Sequence, residues 1–197
     1  MATQALQSAI YELADALDVN ERYQQNGWTD GLPIVPPTEQ RVREFLDAAG
    51  LAPVDIIGVE SVRQRPIRAE KAAINVVMAG CLPTYMPVVV AVLRAMCVSE
   101  YNLHGSTAST GGRAPLIVVN GPMRTVLGMN ATHGVLGHGN RANATIGRAI
   151  GLVLINVLGC IPGQIDRSTL GHPGKFTFCH RSHVSTAMTS TFAIVRR

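Results

Sequence analysis

The chain has 197 residues and a formal net charge of +4, with 47% hydrophobic, 15% charged and 5% aromatic residues. These values fit one globular domain, with or without an arm, and exclude a disordered chain or one that needs disulfide staples. The first hundred residues carry 12 acidic and 8 basic side chains, whereas the rest carry 9 basic side chains and one acid, Asp166, so we expect the second half to meet an anionic ligand or an acidic partner surface.

The N-terminal part is expected to form an arm, residues 1–26. Apolar residues recur at three- and four-residue spacing between Thr3 and Gln25, which predicts an amphipathic helix or a helix and a short extension. A rigid loop rich in proline and glycine follows, and Thr38 is predicted to cap a helix over Glu39 to Ala49 that Gly50 ends. No basic segment precedes an apolar signal core, so we expect a cytoplasmic protein.

The middle of the chain is predicted to combine one strand and two buried helices. Val54 to Glu60 has the composition of a short strand. Ile67 to Met78 runs into alanine-rich apolar positions typical of a buried helix, and Tyr85 to Met96 is a second helix that opens on prolines. The glycine and prolines in this region argue against a membrane span, and we expect no membrane partner.

Glycine-rich loops separate the elements predicted after residue 100. Leu116 to Asn120 is a buried-type strand, and Asn143 to Val157 is an apolar helix. Lys175 to Cys179 and Thr191 to Val195 are predicted as strands. We therefore expect a mixed α/β fold with one compact domain over 27–180, glycine-rich loops at its site, and a C-terminal extension, 181–197, that adds an edge strand.

Cys81 is the first candidate catalytic residue because it precedes a predicted helix. Amides at a helix N-terminus favour an anion and so lower the pKa of a thiol, which produces the nucleophilic thiolate. Gly80 would let a substrate approach closely. The alternative is that Cys81 is a small buried residue at a helix junction, as free cysteines often are.

The loop that reads Asn130-Ala-Thr-His-Gly-Val-Leu-Gly-His-Gly-Asn-Arg-Ala-Asn143 is the second candidate. Its glycines can expose successive N–H groups to an oxyanion, and Arg141 can clamp that group with two donors. Asn140 or Asn143 can cap the following helix. The loop lacks the lysine and hydroxyl residue of a phosphate-binding P-loop, so a tight packing turn is the alternative.

The third candidate is the turn Gly171-His-Pro-Gly-Lys175, followed by Phe-Thr-Phe-Cys179. In an extended segment Lys175 and Cys179 share one face, so a cation and a thiol would line one pocket wall. The alternative is a surface turn with a solvated lysine.

Histidines offer bases or metal ligands, but their spacing matches no metal motif, and we expect neither a metal nor another cofactor. The four cysteines also lack the spacing of a metal site or a disulfide framework. Nucleic acid is not expected as a partner, because basic residues do not cluster and aromatic residues do not accompany them.

Four segments together carry a family resemblance: Trp28-Thr-Asp-Gly-Leu-Pro-Ile-Val-Pro-Pro-Thr38, Val77-Met-Ala-Gly-Cys-Leu-Pro-Thr-Tyr-Met-Pro87, Gly137-His-Gly-Asn-Arg-Ala-Asn-Ala-Thr-Ile-Gly-Arg148 and Gly171-His-Pro-Gly-Lys175. The chain resembles bacterial proteins associated with the UGSC family of selenocysteine- or cysteine-containing proteins over roughly residues 25–180. The resemblance implies a small-molecule enzyme split over two subunits or domains, in which a second component carries a U/C-Gly-Ser-Cys motif. This chain contains no Cys-Gly-Ser-Cys.

We therefore predict one cleft in a homo-oligomer, or in a hetero-oligomer with a UGSC-motif subunit, that acts on a small polar or anionic substrate. The reaction is reduction or cleavage of a carbon–heteroatom bond, with a non-redox hydrolase or lyase and a non-catalytic scaffold subunit as alternatives. The predicted catalytic residues are Cys81, His172, His104 and Asp30. The predicted substrate-binding residues are Trp28, Thr29, Gly80, Asn120, His138, Gly139, Asn140, Arg141, Asn143, Lys175 and Cys179.

Overall fold

The computed structural model describes residues 4–181 and the backbone of residues 193–195. Its helices are α1 (Ala16–Gln25), α2 (Glu39–Ala49), α3 (Ala69–Met78), α4 (Met86–Met96), α5 (Leu103–Thr107), α6 (Met123–Val126) and α7 (Arg141–Asn156). Its strands are β1 (Ile56–Glu60), β2 (Arg65–Arg68), β3 (Leu116–Val119), β4 (Cys179–Arg181) and β5 (Ala193–Val195). Short 3₁₀ turns span Pro83–Tyr85, Ser99–Tyr101 and Pro173–Lys175. The predicted mixed α/β fold is confirmed.

Two small sheets flank a helical core. Strands β1 and β2 form an antiparallel hairpin, and the second sheet has the order β4-β3-β5, with β3 parallel to β4 and antiparallel to β5. Helix α3 packs against α7 and α2, and α4 packs against α2 and β1. The core between them is built from aliphatic side chains and methionines, so burial of apolar surface is the main source of stability.

Local sequence signals account for several helix boundaries. Thr38 accepts a hydrogen bond from the backbone N–H of Arg41 at the start of α2, and Gly50 ends the helix in the left-handed conformation with φ 62°. Both roles were predicted. The predicted strand before residue 60, the helix ending at Met96 and the strand beginning at Leu116 are also confirmed.

Two predicted elements differ in extent or type from the structure. The N-terminal helix is confined to Ala16–Gln25, where Asp15 caps it, and described residues before Asp15 form no helix. The segment after Pro173 is a 3₁₀ turn rather than a strand, so the alternation that was to place Lys175 and Cys179 on one face is absent. The predicted strand from Thr191 falls partly outside the described residues, since only residues 193–195 are described there.

Among the described residues, no single helix is long and apolar enough to cross a membrane. One pair bent by 77°, Pro83–Met96 followed by Ser99–Thr107, reaches the required length and composition when taken together.

Candidate functional site

Helix α7 organises the predicted site because distant segments meet along it. Arg141, in its first turn, donates from Nε to the carbonyl oxygen of Gly80 at 2.9 Å. Its Nη2 also lies 3.4 Å from the carbonyl oxygen of Cys81. Two of the predicted segments, the cysteine junction and the glycine loop, therefore do come together.

The third segment is tied to α7 by an ion pair. Arg148 donates from Nε and Nη2 to the two carboxylate oxygens of Asp30, at 2.8 and 2.9 Å, and the same guanidinium reaches the carbonyl oxygen of Pro33 at 2.8 Å. The Asp30 side chain is only 9% exposed. Asp30 thus anchors its loop to the helix, and its ion-pair partner is Arg148 rather than one of the predicted histidines His104 and His172.

Cys81 lies at the centre of this junction but is buried, with 6% of its surface exposed. Burial raises the pKa of its thiol to about 12, although the Thr145 hydroxyl and the guanidinium groups of Arg141 and Arg148 act in the opposite direction. The expectation that a helix N-terminus lowers this pKa is wrong, because desolvation outweighs the nearby positive charge. The thiol is protonated at neutral pH.

Cys179 is the second thiol of this region. Burial raises its pKa to about 12 as well, and the proximity of Cys81 adds to the shift. Thr177, two residues earlier, donates to the carbonyl oxygen of Ala144 at 2.8 Å and so fixes the approach of β4 to α7. The two protonated thiols are thus buried near each other, and neither is presented to solvent.

Asn140 and Asn143 fix the conformation of the glycine loop. Asn140 caps α7 by accepting from the backbone N–H of Asn143 at 3.0 Å, and its amide donates to the carbonyl oxygen of Gly128. Asn143 is buried and donates to the carbonyl oxygens of Asn130 and Val135. Gly139 takes a φ of 106°, which favours glycine. The cap was predicted, whereas the buried role of Asn143 follows only from the fold.

Lys175 lies in a different place from Cys81. Its ammonium group donates to the Asp166 carboxylate and, at 2.6 Å, to Ser168 Oγ. Lys175 and Asp166 border a cavity of about 100 Å³, hereafter the Lys175 pocket. Its walls also include Ser106, Thr107, Arg113, Pro115, Gly147, Ile150, Gly151, Leu154, Ile155, Cys160, Pro162 and Gly174.

Glycines on α7 allow the turn that carries Lys175 to approach the helix. A Cβ at Gly147 would lie 2.7 Å from the backbone nitrogen of Phe178, and one at Gly151 would lie 2.9 Å from the carbonyl oxygen of Lys175. Both separations are shorter than real Cβ contacts, so only glycine permits this packing. The position of Lys175 is therefore set by the bare face of α7.

Cys160 is a wall residue of the Lys175 pocket that the sequence did not single out. Its Sγ lies 3.7 Å from Nη2 of Arg63, a residue that also pairs with buried Glu60 at 2.8 Å. The apolar context of Cys160 predicts a core residue, and it is indeed buried. No local sequence signal could have found the contact, since Arg63 lies in the β1–β2 turn far along the chain.

The predicted histidines His172, His104 and His138 lie in three different parts of the fold. His172 is exposed, accepts from the backbone N–H of Gly174 at 2.9 Å and packs on Phe178 with ring centroids 5.5 Å apart. His104 lies on α5, where its Nδ1 is buried without a partner among the described residues. His138 is exposed in the glycine loop. Within residues 4–181, no three His, Cys, Asp or Glu side chains are grouped to hold a metal ion.

The remaining predicted binding residues lie on two other segments of the chain. Asn120 is partly exposed at the end of β3, and Thr29 accepts from the backbone N–H of Gly31 at 3.0 Å. Trp28 packs edge-on against Tyr23, with centroids 5.3 Å apart, and borders a second, larger cavity. The single predicted cleft is thus divided among a closed junction at Cys81, the Lys175 pocket and the cavity beside Trp28.

Comparison of the chain with family models, curated proteins and solved structures finds no match.

Proposed function

We propose that this chain is the substrate-holding subunit of a cysteine- or selenocysteine-dependent small-molecule enzyme, and that its substrate carries a negatively charged group. The observation that carries the proposal is the charge of the Lys175 pocket. Its walls contain two cations, Lys175 and Arg113, and one acid, Asp166. A pocket with this balance favours an anion.

The polar groups of the pocket have distinct roles in this proposal. The Lys175 ammonium group, positioned by Asp166 and by Ser168 Oγ, binds an oxyanion of the substrate. The Arg113 side chain is exposed, and its only hydrogen bond among the described residues is to the carbonyl oxygen of Gly105 at 3.4 Å. In this proposal the Arg113 guanidinium group contacts the side of the anion opposite Lys175.

The reactive sulfur or selenium is assigned to a partner rather than to Cys81. A thiol with a pKa of about 12 supplies almost no thiolate at neutral pH, and the same holds for Cys179. A partner with the U/C-Gly-Ser-Cys motif, as the family resemblance implies, would bring the nucleophile for reduction or cleavage of a carbon–heteroatom bond. Such a thiol or selenol fits the reducing cytoplasm that we predict.

Protection of Lys175 from chemical modification tests the anion site. The chain has only two lysines, so Lys71 is an internal control. Trinitrobenzenesulfonate labelling, read by peptide mass spectrometry, should become about threefold slower at Lys175 in millimolar malonate and stay unchanged at Lys71. Equal slowing at both lysines would mean ionic screening and would contradict the proposal.

Mixing experiments test the partner. We expect light scattering to detect a stable complex between this chain and a protein that carries the U/C-Gly-Ser-Cys motif. Absence of a complex, with Lys175 still protected by malonate, would refute the split enzyme and leave an anion-binding protein.

A further inference from the structure

A cavity of about 580 Å³ lies under the N-terminal arm. Arm residues between Leu6 and Leu13 form its roof, and α3 contributes Ile74 and Met78 to its floor. A volume of this size is typical of sites that enclose a small organic molecule. We call it the arm cavity.

The walls of the arm cavity are mainly apolar and contain three aromatic rings. Trp28 lies between Tyr23 and Tyr11, whose ring centroids are 5.3 and 6.0 Å from its own. Such rings offer flat faces and edges to an apolar ring system. An uncharged polar spot lies where Asn156 Nδ2 donates to Asn75 Oδ1 at 2.6 Å.

The charged residues at the cavity walls are already paired. Lys71 Nζ lies 3.0 Å from Ser8 Oγ, and Glu39 accepts from Arg43 at 2.7 Å. Because one wall residue is a cation and the other an anion, the cavity offers no net charge to a ligand. Its chemistry therefore differs from that of the Lys175 pocket.

The roof is fastened by one buried carboxylate. Glu70 is 3% exposed and accepts from the backbone N–H groups of Gln7, at 2.9 Å, and Ser8, at 2.7 Å, as well as from the Ser8 hydroxyl. Arg43 adds a hydrogen bond to the carbonyl oxygen of Gln4 at 3.0 Å. These contacts hold extended backbone over the cavity where no helix forms.

We propose that the arm cavity binds a neutral small molecule with an apolar, ring-containing body, and that the arm is a strap whose release from Glu70 admits it. This site is separate from the one assigned to the anionic substrate. The hydrogen-bonding group of the ligand, where it has one, meets the amide pair of Asn75 and Asn156.

The only tryptophan of the chain borders the cavity, so the native protein reports on binding. We expect the neutral probe N-phenyl-1-naphthylamine to bind at one molecule per chain and to quench Trp28 emission by energy transfer. Malonate should leave this binding unchanged while it protects Lys175. Unsaturable binding, or binding without loss of Trp28 emission, would overturn the proposal whatever the fate of the anion site.

Two pairs of variants locate the probe and test the strap. Ile74→Phe fills the cavity and should weaken probe binding about tenfold, whereas Val126→Phe, at a position 73% exposed and outside the cavity, should not. Glu70→Gln should speed probe association about fivefold in stopped-flow measurements, because an amide cannot accept from both backbone donors and the hydroxyl as a carboxylate does. Glu44→Gln, at an exposed carboxylate that accepts a hydrogen bond from Gln40 on its own helix, is its control.

Equal probe affinity in the Ile74→Phe and Val126→Phe proteins would place the probe elsewhere and overturn the site. Unchanged association in the Glu70→Gln protein would overturn the strap. If Ile74→Phe fails to fold, the stoichiometry and Trp28 quenching of the native chain decide the matter.

Discussion

Asp166, the only acidic residue of the second half of the chain, accepts a hydrogen bond from Lys175, one of only two lysines. The carboxylate also accepts from the backbone N–H and hydroxyl of Ser168. Burial raises the pKa of Asp166, but the bonds from Lys175 and Ser168 outweigh it and hold that pKa below its usual value. The one acidic side chain in this half of the sequence thus orients the ammonium group of Lys175 in its pocket.

Asp166→Asn should free the Lys175 amino group from its anionic partner. We expect trinitrobenzenesulfonate to label Lys175 about threefold faster than in the native chain, an effect limited by the partial exposure of this pair. Lys71 should react at its native rate in the same sample. A rise at both lysines would indicate general unfolding instead.

The thiols of Cys81 and Cys179 should resist alkylation in the folded chain, because their pKa values of about 12 leave almost no thiolate. Iodoacetamide at pH 8, followed by peptide mass spectrometry, should leave both unmodified until a denaturant is added. Rapid modification of Cys81 without denaturant would mean that this chain, rather than a partner, carries the nucleophile.

Arg148→Ala should destabilise the fold by about 3 kcal/mol, because it strands the largely buried Asp30 carboxylate. Urea denaturation followed by circular dichroism measures the free energy of unfolding. The matched control is Arg43→Ala, which breaks a more exposed pair with Glu39 and a hydrogen bond to the carbonyl oxygen of Gln4, and it should cost less than about 1 kcal/mol. Similar losses in the two proteins would contradict the anchoring role of Arg148.

Gly147→Ala should displace the backbone at Phe178 and cost about 2 kcal/mol, in spite of the better helix propensity of alanine. Gly111→Ala, where the nearest atom to an added Cβ is 3.6 Å away, should change the free energy of unfolding by less than about 0.5 kcal/mol. An unchanged free energy of unfolding in the Gly147→Ala protein would mean that the turn carrying Lys175 does not pack on α7.

Acid should weaken the fold through its buried carboxylates. Burial raises the pKa values of Glu60 and Glu70, but hydrogen bonds from backbone and side-chain groups bring both below the usual value. Their stabilising contribution is complete above the unfolded-state pKa of about 4 and is lost as the pH falls through the lower folded-state values. Urea midpoints should therefore drop below pH 4, and the drop should be shallower in the Glu70→Gln protein.

Elements with complete local signals could be predicted from the sequence. The cap at Thr38 and the stop at Gly50 bracket α2 because one offers a side-chain acceptor and the other tolerates a positive φ. The helix after Asn140 begins two residues before its predicted start for the same kind of reason, since Asn140 is the cap. Such signals act over one turn of chain and need no tertiary context.

Elements that depend on distant partners could not be predicted. The arm has helical periodicity near Ile10, yet Glu70, some sixty residues away in sequence, takes its backbone donors and keeps it extended. Cys81 has the local context of an activated thiol, but the fold buries it and reverses the pKa shift. The site was likewise predicted as one cleft, because sequence motifs carry no information on which side of α7 each segment packs.

Helix α7 also separates the Lys175 pocket from the arm cavity. Ile155 faces the Lys175 pocket, and its neighbour Asn156 faces the arm cavity, so one helix thickness of about 10 Å separates their contents. Because the ligand proposed for the arm cavity carries no charge, an anion on the other side of this helix gains or loses little by its presence, and the two cavities fill independently.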